Sequence, residues 1–178
     1  MKKRIQMNID RFYTDNDFLN STDGRTIRIL SEYFGPFQRL RKNNIKDTIV
    51  FFGSARLKSR SQAKNALANK SKNISTNKFA ELKRDLEMSN YYEAARELAF
   101  KLTKWSKELK NQKRRFIITS GGGPGIMEAA NRCAKEAKGL TLGLGITLPK
   151  EQQLNQYIPK ELGLSHIHIS EPTRPERI

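Results

Sequence analysis

The stretch that most restricts the fold of this chain is FIITSGGGPGIMEAA, residues 116–130. An apolar, β-branched run stops at three consecutive glycines, and Pro124-Gly125 then leads into residues spaced like a helix. A buried strand that turns straight into a helix opens a βα unit, and glycines at that turn let a ligand approach the main chain. Two other runs are apolar on both faces, as strands of a parallel sheet must be. They are DTIVFF at 47–52 and LTLGLGITL at 140–148, the latter closed by Pro149.

Helical periodicity fills the gaps between these runs. Ile27, Leu30, Phe34, Phe37 and Leu40 recur at three and four from about Asp23, and Gly35-Pro36 predicts a break there. Tyr92, Ala95, Leu98, Ala99, Leu102 and Trp105 fall on one face of a helix expected over 89–109, with Ser89 as its cap. A third helix is expected over 125–138, stopped by Gly139. The order strand, helix, strand, helix, strand implies an α/β fold: a Rossmann-like doubly wound parallel sheet, truncated after about three strands.

Residues 1–22 look irregular, and 23–165 form the partial Rossmann-like domain. Within it 57–88, rich in Lys, Asn, Ser and Ala, is expected to be a basic insertion, mobile or weakly helical. In the tail, 166–178, IHISEPTRP resembles a translated sequencing-library adapter, so a non-native segment is expected there. His166 and His168 both lie in it, which leaves no histidine mechanism or metal site to read elsewhere.

The net charge of +16 asks whether the partner is nucleic acid. The cations are scattered over MKKR, RLRK, KSKNISTNK and KNQKRR, without interleaved aromatics on one helix, which argues against nucleic acid as the main partner. The same field attracts a small anionic substrate. No apolar run approaches the ~20 residues of a membrane helix. With no signal peptide and one cysteine, Cys133, the cytoplasm is the expected location.

Ligands of a parallel sheet bind beyond the C-terminal ends of its strands. Gly121, Gly122, Gly123 and Gly125 sit there, before a helix N-terminus whose unpaired N–H groups favour an anion. Pro124 removes one donor and stiffens the turn. The first strand ends at the same edge in Gly53 and Ser54, where Ser54 can donate to a phosphate or ribose and Arg56 can pair with an anion. GGGPG lacks the G-x-G-x-x-G spacing and the Lys-Ser/Thr of a P-loop, so NAD binding and ATP hydrolysis are disfavoured. A phosphate or phosphosugar is the natural ligand. Glu128 and Asn131, early in the following helix, are candidates to face it.

FFGSAR, YYEAARELA, TSGGGPGIMEAANRCAKEA and LGLGITLPKEQQLNQYI together resemble the LOG (LONELY GUY) family, once described as possible lysine decarboxylases. The likeness is greatest to its longer, AMP nucleosidase-like bacterial branch, and it covers roughly 23–164 apart from the insertion. The resemblance implies a phosphoribohydrolase that cleaves the N-glycosidic bond of a nucleoside 5′-monophosphate such as AMP. The products would be free base and ribose 5-phosphate, with no cofactor and a homodimer or higher oligomer. It also implies that Glu151 lies near the substrate, with Asn155 as its neighbour in the pattern. In the family an arginine of an Arg-Lys pair and the glutamate of P-G-G-x-G-T-x-x-E carry catalysis. Both lie downstream of the segment matching LPKEQQLNQYI, so this chain alone is expected to be an inactive fragment. Its first strand should keep an open edge on the side where the next strand would pair. A non-catalytic nucleotide carrier and a basic nucleic-acid-binding protein are the alternatives.

Overall fold

A computed structural model describes residues 11–70, 74–109, 114–145 and 154–165. Four parallel strands form one sheet in the order β1-β2-β3-β4: β1 Thr48–Phe51, β2 Ile117–Ser120, β3 Thr141–Gly145 and β4 Gly163–Ser165. The registers Ile49↔Ile118, Ser120↔Gly143 and Leu144↔Leu164 set which side chains share a face. Adjacent residues alternate faces, so Ile117 and Ile118 enter two different cores.

On one face α4 (Thr76–Glu108) and α5 (Ile126–Glu136) cover the sheet. Here Phe51 and Ile118 meet Ala99, Ala130, Cys133 and Ala134. The alanines let helices and sheet approach closely, and a Cβ at Gly139 would overlap the Thr103 side chain. On the other face Ile45, Ile117, Leu142, Leu162 and Leu164 form the second core, with Leu40 of α2 (Arg25–Lys42) against them. Helices on both sides of a parallel sheet make the doubly wound arrangement read from the sequence.

Several expectations change. The segment before residue 23 is not wholly irregular: Phe12–Thr14 is a 3₁₀ turn and Asn16–Asn20 is α1, capped by Asp15 through the N–H groups of Asp17 and Phe18. The α2 helix runs unbroken through Pro36. A residue before proline normally clashes through its Cβ with the ring, and Gly35 has none. The expected insertion contains α3 (Arg60–Ala68), opened by a capping box in which Ser59 and Gln62 bond reciprocally. It also contains the first half of α4, which starts after Ser75 rather than at Ser89. Ser89 is buried in mid-helix, its hydroxyl donating to the Leu86 carbonyl at 2.6 Å.

Helix α5 ends with Lys138, not Gly139, in the left-handed conformation. Gly139 N–H then reaches the Ala134 carbonyl and Lys138 N–H the Lys135 carbonyl, the paired bonds of a Schellman cap. A short fourth strand exists, and it pairs with β3 rather than beside β1. Among the described residues β1 therefore has a partner on one side only, the open edge expected from the sequence. Phe52, just beyond it, is 83% exposed. The apolar stripe of α2 is largely exposed at Ile27, Leu30, Phe34 and Phe37. Among the described residues no helix is long and apolar enough to cross a membrane. The tail 166–178, with both histidines, lies outside the described residues.

Candidate functional site

The two small-residue loops meet at the C-terminal edge of the sheet. Ile126 N–H, the first of α5, donates to the Ser54 carbonyl at 3.1 Å, which joins the loop after β1 to the glycine bend after β2. Two glycines make the junction possible. A Cβ at Gly53 would sit 2.6 Å from the Cβ of Ile126, and one at Gly125 would overlap the Ser54 carbonyl oxygen. Gly125 also has φ 70 and ψ −129, a region closed to residues with side chains.

Among the described residues, none accepts from the backbone N–H of Gly123, Gly125, Met127 or Glu128. Ser54 and Arg56 are exposed beside this junction, with Arg56 N–H bonded to Ser54 Oγ at 3.2 Å. Among the described residues no carboxylate pairs with the Arg56 guanidinium. The helix N-terminus and its unpaired donors thus stand beside the loop that carries Ser54 and Arg56.

The Gly122 side is different. Its N–H donates to Ser120 Oγ at 3.0 Å, and its carbonyl accepts from Asn155 N–H at 2.8 Å and Asn155 Nδ2 at 3.1 Å. A Cβ at Gly122 would overlap Leu154. The same leucine lies against Gly143, Gly145 and Gly163, where a Cβ would come 3.3, 2.8 and 2.6 Å from its methyl groups. The glycines of LTLGLG therefore make a flat bed for Leu154, with Ile158 beside it over Gly143. Gly122 serves internal packing, which leaves Gly123 and Gly125, both buried, with N–H groups that no described residue accepts, and Gly121 half-buried next to the strand.

Asn131 is fully buried. Its Oδ1 accepts from Ser120 Oγ at 2.5 Å and from Asn155 Nδ2 at 3.0 Å, while its Nδ2 donates to Thr141 Oγ1 at 2.6 Å and to the Leu142 carbonyl at 3.3 Å. With its amide fully used, Asn131 holds the bend, β3 and residue 155 together from beneath rather than facing a ligand. Ser120 and Thr141 complete this network; as short polar residues in apolar strands they carried a signal the sequence reading passed over. Glu128 is half-buried in the first turn of α5, where a carboxylate suits the helix dipole. Its charge adds to the burial that pushes the Tyr92 phenol up to about 12, against the lowering effect of Arg132. Glu151 lies outside the described residues.

Behind the site is a charge cluster. Arg96 of α4 donates to Glu93 at 2.9 Å and Glu136 at 3.0 Å, and its Nε to Cys133 Sγ at 3.3 Å. Burial would raise the Glu136 carboxyl, but bonds from Cys133, Arg132 and Arg96 outweigh it and hold the group down at about 2. Burial, with a bond to Glu136, pushes the Cys133 thiol up, against Arg96. A buried, protonated thiol of this kind is a packing group rather than a nucleophile. Among the described residues no group of three or more His, Cys, Asp or Glu side chains could hold a metal. Three hollows lined by described residues border α2, around Phe34 and Phe37, Gly35 and Leu164, and Lys42 and Lys160. The last is lined by Arg39, Lys42, Asn43 and Lys160 with Glu161, so its donors are side chains rather than the main-chain N–H groups of the glycine bend.

No curated protein matches the chain. A family model does, that of LDcluster4, the SLOG cluster4 family, over residues 94–169. The matched segment contains the second half of α4, the glycine bend, α5, β3 and β4, which is the structure just described around the site. The SLOG superfamily includes the LOG family, so the likeness read from the motifs stands at that level, and it points to a nucleotide-related enzymatic or binding function. Residues 94–169 of this chain thus match the SLOG cluster4 family model.

Proposed function

We propose that this chain carries the phosphate- and ribose-holding half of a site for a nucleoside 5′-monophosphate, AMP being the reference ligand. The reaction it serves is hydrolysis of the N-glycosidic bond to free base and ribose 5-phosphate. The observation that carries the reading is the junction of the two loops. Ser54 carbonyl and Ile126 N–H tie them together, and the N–H groups of Gly123, Met127 and Glu128 point at no described acceptor. A phosphate monoester suits such a helix start, where N–H dipoles and the helix field both favour negative charge.

The division of roles follows from charge. Gly123, Met127 and Glu128 amides would hold the phosphate, with Ser54 Oγ and the Arg56 guanidinium closing on it from the β1 side. Glu128 repels phosphate, so its carboxylate is assigned to the ribose hydroxyls. As the base departs, positive charge grows on the ribose ring, and a carboxylate in that position opposes it. The LOG resemblance assigns bond cleavage to groups that no residue here matches, so binding is what tests the reading.

Calorimetric titration tests the reading. AMP and ribose 5-phosphate should bind and adenosine should not. Arg56→Ala should weaken AMP by ~10–100-fold, the loss of a charge-assisted hydrogen bond. Adenosine binding as tightly as AMP, or an Arg56→Ala variant with unchanged affinity, would overturn it.

A further inference from the structure

The hollow lined by Arg39, Lys42, Asn43, Lys160 and Glu161 has a volume of about 420 Å³. Arg39 and Lys42 stand one turn apart at the end of α2, and Lys160 and Glu161 belong to the 3₁₀ turn Lys160–Leu162 that leads into β4. Both elements sit where strands begin: α2 precedes β1 and the 3₁₀ turn precedes β4, whereas the glycine bend follows β2. The strands are parallel, so the hollow and the bend lie at opposite edges of the sheet.

Cations in a last helical turn commonly serve the helix itself, by bonding its open carbonyls. Here that task is filled by others. Asn43 donates to the Arg39 carbonyl through its N–H at 3.1 Å and its Nδ2 at 2.9 Å. Asn44 N–H takes the Arg41 carbonyl at 3.0 Å and Ile45 N–H the Leu40 carbonyl at 2.9 Å. Arg39 reaches across instead, its Nη1 donating to the Gly163 carbonyl at 3.1 Å, which ties the two walls of the hollow together. Among the described residues no ion pair joins Lys42 or Lys160 to a carboxylate. Glu32, the other carboxylate of α2, lines the neighbouring hollow with Gly35 and Leu164. Three cations therefore border one hollow with a single carboxylate, Glu161.

We propose that this hollow binds a small hydroxy polycarboxylate, with citrate as the reference ligand. Its cations come from two elements and do not converge on one point as the amides of a bend do, which suits several anionic groups on one short carbon skeleton. Lys42 and Lys160 supply point charges on flexible stems. The N–H groups that Arg39 does not spend on Gly163 form a planar fork of the kind that matches a carboxylate. Two acceptors also face the ligand, Glu161 and Asn43 Oδ1, to which no described residue donates. A hydroxyl among the carboxylates supplies the missing donor, and the net excess of two positive charges still favours the anion. The volume lies within the range of small-molecule sites, about 300–1,000 Å³.

Calorimetric titration of the full chain at low ionic strength, paired with amide-resolved NMR, tests the proposal. Citrate should bind about 10-fold more tightly than inorganic phosphate, and should shift the amides of Lys42, Asn43, Lys160 and Glu161. Tricarballylate, which is citrate without its hydroxyl, should bind roughly 5-fold more weakly than citrate, the loss of one hydrogen bond. Lys42 and Lys160 are exposed. A Lys42→Gln/Lys160→Gln variant should therefore keep the wild-type melting curve while binding citrate about 10-fold more weakly. Arg56→Ala should leave citrate affinity unchanged. Inorganic phosphate or tricarballylate binding as tightly as citrate, citrate shifts scattered over the lysines of α3 and α4, or a double variant with unchanged affinity would each overturn the proposal. None of these outcomes depends on AMP binding at the bend, so the two readings fail separately.

Discussion

Replacing Gly125 by alanine tests how the two loops are held. The residue sits at φ 70, ψ −129, where an added Cβ is strained whatever the space around it. Strain of this kind costs ~1–3 kcal/mol. The new methyl also overlaps the Ser54 carbonyl, so the Ile126 N–H bond to that oxygen must open, a further loss of ~1 kcal/mol. The expected destabilisation is ~2–4 kcal/mol, or roughly 5–15 °C in Tm for a chain of this size. Gly121→Ala is the control. Its backbone is outside the left-handed region, and its Cβ would touch only the flexible Met127 thioether at 3.0 Å. That variant should stay within ~1 kcal/mol of wild type. Urea and thermal unfolding followed by circular dichroism measure both. If Gly125→Ala unfolds within ~0.5 kcal/mol of the wild type, or no more easily than Gly121→Ala, the junction is not built as described.

Asn131→Ala strips the partner from Ser120, Thr141 and Asn155 at once, and should cost ~2–4 kcal/mol in urea unfolding. Leu154→Ala should cost ~2 kcal/mol, since the glycine bed under it cannot rise to fill the space. Ser59→Ala removes the capping box of α3 and should cost ~1 kcal/mol. Glu136 gives a pH test. Its folded carboxyl is held at about 2, below its ordinary 4.5. It therefore favours the folded state above pH 4.5, and that contribution fades as pH falls from 4.5 toward 2. Thermal melts of Glu136→Gln should lose this part of the acid dependence while the wild type keeps it.

The parallel sheet and its glycine bend were legible because periodicity and punctuation coincide there: β-branched runs end at glycines, and helical spacing begins at once. The start of α4 was not, because lysines and asparagines around Phe79 and Leu82 dilute the apolar pattern. Yet Ser59-x-x-Gln62 is a capping signature that the residue types alone carry, and it marks the start of α3. At the site, the sequence places Gly122 among its neighbours with nothing to distinguish it. Its different role depends on Leu154 and Asn155, more than thirty residues away, folding back onto it. The role of Asn131 was hidden too, since its partners come from β2, β3 and residue 155, 10 to 24 residues away. The break expected at Gly35-Pro36 failed because the two residues act together, the glycine removing the clash that the proline would otherwise cause.

The central claim is that main-chain N–H groups at the start of α5 grip a phosphate monoester. An amide-resolved NMR titration with ribose 5-phosphate tests it most directly. Saturating shifts at Gly123, Met127 and Glu128, with Ser120 and Gly122 nearly still, are the predicted result. Shifts confined to the lysine-rich surfaces of α3 and α4, or none at the bend at any concentration, would contradict it.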